Sequence, residues 1–132
     1  MPFYPCRGGG NLKYIECVIG ASSGSSAASN IAKISLPSKI VTRVELLGVE
    51  GMVDDSNVKI TLDCYDGKLP YGGNPANRLD LTSKTVKRTE LETNPVSIDV
   101  PDEAKTREWL RIFISDGDYN YGQIGKLRLY LK

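Results

Sequence analysis

The 132 residues fit one domain, and 17 basic against 16 acidic side chains leave a net charge of +1. Residues 1 to 66 hold six basic and seven acidic groups and residues 67 to 132 eleven and nine, so no basic stripe marks the chain for nucleic acid or for an anionic membrane surface. Histidine is absent, which removes Ser/His/Asp triads, Cys/His pairs and His-bearing zinc sites from consideration.

The first eleven residues carry Pro2, Pro5 and Gly8 to Gly10, a composition that resists both helix and ladder, and they read as an N-terminal arm. No basic start followed by an apolar stretch is present, so no signal peptide is expected. Residues 12 to 19 form a β-prone run. Residues 20 to 30, rich in Ser, Gly and Ala, read as a flexible connector or a mobile loop at one end of a sandwich. From Ile31 onward, short alternating runs separated by turn residues indicate an antiparallel all-β domain rather than βαβ units. Residues 31 to 36 are closed by Pro37. Residues 40 to 48 place Ile40, Val44 and Leu46 on one face, and residues 58 to 65 turn Val58, Ile60, Leu62 and Cys64 inward.

Asp66-Gly67 signals a turn, and residues 68 to 78, with two prolines and a glycine pair, read as a long loop. Residues 79 to 92 suit one bent edge strand or two short ones. Val96, Ile98 and Val100 alternate after Asn94-Pro95. Residues 101 to 109, with Pro101 leading and acids in the first turn, predict one or two helical turns. Leu110, Ile112 and Ile114 then face one way and Arg111 and Phe113 the other. A turn at 116 to 122 leads to a last strand with Leu127, Leu129 and Leu131 inward. Seven to nine strands are too many for one open sheet of this length. The expected architecture is therefore an antiparallel two-sheet β-sandwich of jelly-roll or Greek-key type with one short helical connector, spanning residues 12 to 132.

Cys6, Cys17 and Cys64 are odd in number and match no C-x-x-C motif, so reduced thiols are expected, Cys17 and Cys64 as small buried hydrophobes and Cys6 as an exposed residue of the arm, with an intermolecular contact or a disulfide as the alternative reading of Cys6. Asp116, Asp118 and Asn120 occupy positions 1, 3 and 5 of a calcium-loop pattern, but Tyr121 stands where Gly is needed and Leu127 where Glu is needed, so the EF-hand pattern fails and no metal is assigned. Asp54 and Asp55 receive the same reading. Gly8-Gly9-Gly10 lacks the Lys-Ser/Thr of a phosphate loop, and Lys84, Lys87 and Arg88 dissolve into a mixed face with Glu90 and Glu92. No cofactor or catalytic constellation is assigned, and the chain is expected to be no enzyme. Seven tyrosines against two phenylalanines favour amphipathic aromatics that stack on sugars or anchor interfaces. Tyr71, Tyr119 and Tyr121, with Asp116, Asp118 and Asn120, form the expected ligand-binding set if the loops at 68 to 78 and 116 to 122 share one end of the sandwich.

The opening Met-Pro-Phe-Tyr-Pro-Cys-Arg-Gly-Gly-Gly resembles the start of small structural proteins encoded in tail and virion modules of phages and prophages of gut Firmicutes. That resemblance spans ten residues. It implies a virion-associated, multimeric β-sandwich from a tail tip, fibre, baseplate or head decoration, assembled in the bacterial host cytoplasm. It also implies other virion subunits as partners, a homo-oligomer with C3 as the leading symmetry, and no catalytic residues. An arm of this kind is suited to docking on a neighbour by strand addition. The alternative expectation is a carbohydrate-binding sandwich acting as a receptor-binding domain on a cell-surface glycan.

Overall fold

The computed structural model describes residues 6 to 7, 13 to 21, 32 to 48, 57 to 68, 75 to 116 and 122 to 132. Among these residues nine strands form in chain order: β1 (Cys6–Arg7), β2 (Tyr14–Ala21), β3 (Ala32–Pro37), β4 (Val41–Leu47), β5 (Asn57–Asp66), β6 (Ala76–Lys87), β7 (Val96–Asp99), β8 (Trp109–Asp116) and β9 (Gly122–Leu131). They make a five-stranded sheet in the order β1-β2-β9-β4-β7 and a four-stranded sheet in the order β3-β8-β5-β6. Every pairing is antiparallel. The pairs are nested: β2 with β9, β3 with β8, β4 with β7 and β5 with β6. This is the jelly-roll winding, a hairpin of strands rolled so that its arms fall alternately into two facing sheets.

Alternation supplies the core. Val58, Ile60 and Leu62 from β5 and Leu110, Ile112 and Ile114 from β8 line one side of the core, and Cys17 and Ile19 from β2, Val44 and Leu46 from β4, and Leu127 and Leu129 from β9 line the other, all essentially inaccessible. The inward set expected on β5, β8 and β9 is thus the set buried, except that Leu131 at the end of β9 is only partly covered. On β4 the expectation fails at one residue. Ile40 lies in the β3–β4 turn and is 40% exposed, while Val41 takes the core position. The cause is a register shift between Val41 and Arg43: Val41 pairs with Leu131 and Arg43 with Tyr130, so Thr42 is an extra residue that breaks the period of two.

Two 3-10 turns replace the single helical connector expected. Asp102–Thr106 holds acids in its first turn, but Pro101 stands just before it and the chain is extended again at Arg107. Arg88–Glu92 falls in the stretch read as strand. Its Leu91 is buried, and its carbonyl accepts the Gly48 N–H at 2.9 Å. A Cβ on Gly48 would lie 2.5 Å from the Glu92 nitrogen, so this close approach admits glycine alone.

Two residues of the arm do join a ladder, with Cys6 opposite Cys17 and Arg7 opposite Glu16. Cys17 is disulfide-bonded and Cys64 is free, which corrects the expectation of reduced thiols throughout. The sequence hid this because two separated cysteines reveal proximity only once the arm is known to fold back on β2. Cys64 does behave as a small hydrophobe, and burial pushes its thiol pKa up, away from reactive thiolate.

Leu129→Ala should cost ~2 to 4 kcal/mol through the cavity it leaves, whereas Lys126→Ala, exposed on the same strand, should stay within about 0.5 kcal/mol. Urea unfolding of both variants checks the face assignment, and equal losses would refute it. Gly48→Ala should cost roughly 1 to 3 kcal/mol by forcing Arg88–Glu92 away from β4. A Gly48→Ala protein as stable as its parent would show that this approach is not tight.

Candidate functional site

The outward faces of both sheets carry ordered polar and aromatic side chains, and cross-strand register sorts them into rows. On the five-stranded sheet one row reads Tyr14, Tyr130, Arg43, Asp99, and the next reads Glu16, Arg128, Glu45, Ser97. The Tyr14 and Tyr130 rings lie 5.4 Å apart, tilted by 44°. Guanidinium groups cover them: Arg43 sits 4.0 Å over Tyr130 and Arg128 5.1 Å over Tyr14, where the ring quadrupole attracts the cation. Arg128 Nε donates to Glu16 at 3.2 Å, its Nη1 lies 3.8 Å from Glu45, and the Tyr130 hydroxyl donates to Glu45 at 3.2 Å. The bulge at Thr42 serves this face, since the Thr42 hydroxyl donates to the Tyr130 carbonyl at 3.2 Å. Beside Tyr130 an open depression is lined by Lys13, Thr42, Arg43, Asp99 and Leu131. Arg43 Nε is buried with no hydrogen-bond partner among the described residues.

The four-stranded sheet presents a different chemistry. Its outward rows are Trp109 with Tyr65, then Ser35, Arg111, Asp63 and Asp80, then Lys33, Phe113, Thr61 and Ser83. Asp63 is wholly buried, yet it points away from the apolar core. Arg111 meets it through two bonds, Nε to Oδ1 at 2.9 Å and Nη2 to Oδ2 at 2.7 Å, and Arg78 Nε adds a third at 2.9 Å. Arg111 also lies 4.5 Å over Phe113 and 5.3 Å over Tyr65, whose hydroxyl donates to Ser35. A buried carboxylate held by two guanidiniums is committed to structure, with its lone pairs turned to fixed donors rather than to a substrate.

Where β5 ends, Asp66 accepts from the Asn77 side-chain amide at 3.0 Å and from the Glu108 backbone N–H at 2.9 Å, and these bonds hold its carboxyl below the usual carboxylate range. The Glu108 carboxylate in turn accepts from the Gly67 N–H at 3.1 Å. These contacts tie the end of β5 and the start of β6 to the entry of β8.

Of the residues expected to bind ligand, Tyr71, Asp118, Tyr119, Asn120 and Tyr121, with the side chain of Asp116, lie outside the described residues, as do Asp54 and Asp55. The backbone of Asp116 ends β8 opposite Val58, whereas Tyr65 pairs with Trp109. Asp116 and Tyr65, the described residues nearest the two loops, thus stand at opposite ends of the β5–β8 ladder, about 23 Å apart along the strands; the loops that carry the expected set lie outside the described residues. The face built from Tyr14, Arg43, Arg128 and Tyr130 was missed because Glu16 and Arg128 are 112 residues apart. The only signal in the sequence was their outward phase on two apolar-alternating strands.

Arg111→Met should cost ~3 to 5 kcal/mol by stranding the buried Asp63 carboxylate, while Arg78→Met, at a side chain about a third exposed, should cost about 1 kcal/mol or less. Chemical unfolding separates the two. For Asp66 the folded pKa is lowered, so its contribution is full above the ordinary carboxylate range and is lost as pH falls through the folded value. Asp66→Asn should flatten the acid limb of a stability–pH curve, and an unchanged limb would assign the dependence elsewhere. Comparison with protein-family models, with curated proteins and with solved structures finds no match for this chain.

Proposed function

We propose that the chain is a non-enzymatic, virion-associated structural subunit of a phage or prophage that meets neighbouring subunits through the outer face of its five-stranded sheet. The observation that carries this reading is the pair of adjacent rows in which Tyr14, Tyr130, Arg43 and Arg128 stand together. Tyrosine and arginine are the residue types in which interface energy concentrates, because each combines a broad apolar body with directional hydrogen bonding. Stacking and ion pairing hold these side chains in place before a partner arrives, so little rotamer freedom is left to lose on association. The virion assignment rests on the opening ten residues and, by fold-level analogy, on the jelly-roll winding that viral capsid proteins share. A homo-oligomer follows from the same reading.

A second reading, a glycan-binding module, draws on the depression beside Tyr130, where Lys13, Thr42 and Asp99 offer donors and acceptors to hydroxyl groups, and on the occurrence of jelly rolls among lectins. It ranks lower because a sugar stacks on an open aromatic face, and the described tyrosines of this sheet carry guanidiniums there.

Sedimentation of the full chain over a wide concentration range tests the first reading. The parent should self-associate, and a Tyr14→Ala, Arg43→Ala double variant should keep its fold while associating about tenfold more weakly, ~1.4 kcal/mol. A parent that stays monomeric at every concentration would remove self-assembly. A glycan that binds the parent and not Tyr130→Ala would establish the second reading instead.

A further inference from the structure

The arm meets the sheet at one point. β1 is two residues long, and a ladder of that length has too few hydrogen bonds to persist in water without support. Cys6 and Cys17 are direct partners across it. Opposed residues of an antiparallel pair bring their Cβ atoms to about 4.5 to 5.5 Å, close to the separation a disulfide spans. Cys17 is disulfide-bonded, Cys64 is free, and the chain has three cysteines.

We infer that Cys6 and Cys17 form an intrachain disulfide that locks the N-terminal arm to the edge of β2, and that the lock resists thiol reductants once the sandwich has closed over it. The second clause follows from placement. Cys17 belongs to the hydrophobic core between Ile15 and Ile19 and is about 1% exposed. An attacking thiolate must reach a sulfur in line with the S–S bond, and the packed core denies that approach at the Cys17 sulfur. Cys64, the remaining thiol, faces inward from the other sheet and its raised pKa keeps it protonated, so it is a poor competitor for exchange.

Closure needs an oxidant, here a small-molecule disulfide such as oxidised glutathione. One cysteine thiolate displaces a thiolate from it to give a mixed disulfide, and the second cysteine then displaces the other half. The two cysteine thiols lose two electrons and two protons in total, and the disulfide becomes two thiols. The cytosol opposes this step and an oxidising exterior favours it, so locking belongs after release from a reducing cell. At Glu16 and Cys17 the arm also withholds the edge of β2 from strand addition by other chains.

Thiol counting in the full-length protein, refolded with oxidised and reduced glutathione, tests the inference independently of the sheet-face interface. After denaturing alkylation without reductant, one label should appear, on Cys64, with the peptides of Cys6 and Cys17 linked. The native protein should keep that count in dithiothreitol, and the same treatment in denaturant should raise it to three. Three labels in the oxidised protein, a covalent dimer joined through Cys17, or native reduction as fast as denatured reduction would each overturn the proposal. Cys6→Ser should expose Cys17 to label on denaturation, lower the melting midpoint by roughly 10 °C and speed amide exchange in Tyr14–Ala21. Cys64→Ser should leave the linked peptides intact, and loss of the link in that variant would also overturn the proposal.

Discussion

Each strand from β2 to β9 finds a partner counted from the other end of the series, and this nesting determines what every other part of the molecule can be. It brings Glu16 beside Arg128 and Val41 beside Leu131, so both sheets are stitched from residues far apart in the chain. It also leaves register as the quantity most in need of fixing, because a slip of one residue would exchange the core face for the solvent face. Asp63 and Arg111 provide one such fix. They oppose each other on β5 and β8, the two inner strands of their sheet, and a slip would drive a carboxylate and a guanidinium among Ile60, Leu62, Ile112 and Ile114. Burial of such a pair adds little net stability compared with apolar residues of the same size. Its contribution is to make every other alignment of the two strands worse.

The strand set and the core were legible in the sequence because period-two alternation over Val58 to Leu62, Leu110 to Ile114 and Leu127 to Leu131 has one low-energy interpretation. What stayed hidden has a common cause in geometry that alternation does not encode. The extra residue at Thr42 shifts the core position from Ile40 to Val41, and no local feature of Lys-Ile-Val-Thr-Arg announces it. Arg88–Glu92 carries a leucine where a strand would also want one, and only the close approach of Gly48 shows that the chain has turned. The Cys6–Cys17 register depended on the arm folding back across eleven positions. The outward rows of tyrosine and arginine required strand order, which the chain does not spell out.

The two sheet faces illustrate different uses of the same residue types. On the four-stranded sheet, arginine is consumed: Arg111 satisfies Asp63 and lies against Phe113 and Tyr65, and little of it remains for another molecule. On the five-stranded sheet, Arg43 and Arg128 lie over tyrosine rings and remain partly accessible, with Glu16 and Glu45 beside them. The first arrangement holds strands in register. The second presents a pre-ordered mosaic of charged and aromatic side chains on the outward face of its sheet.

The nesting has a further consequence for how such a chain is made. Translation delivers β2 early, while the strand that must cover its inward residues, β9, is delivered last. At about 5 to 20 residues per second, the intervening chain takes on the order of ten seconds to emerge, and for that interval β2 has only the two residues of β1 beside it in its own sheet. Among the nested pairs from β2 to β9, the innermost, β5 with β6, joins consecutive strands and can close as soon as it appears, so assembly of the two sheets is expected to proceed from the middle of the chain outward. The apolar face of β2 in a nascent jelly roll of this kind therefore stays uncovered on its β9 side until the C-terminal end arrives.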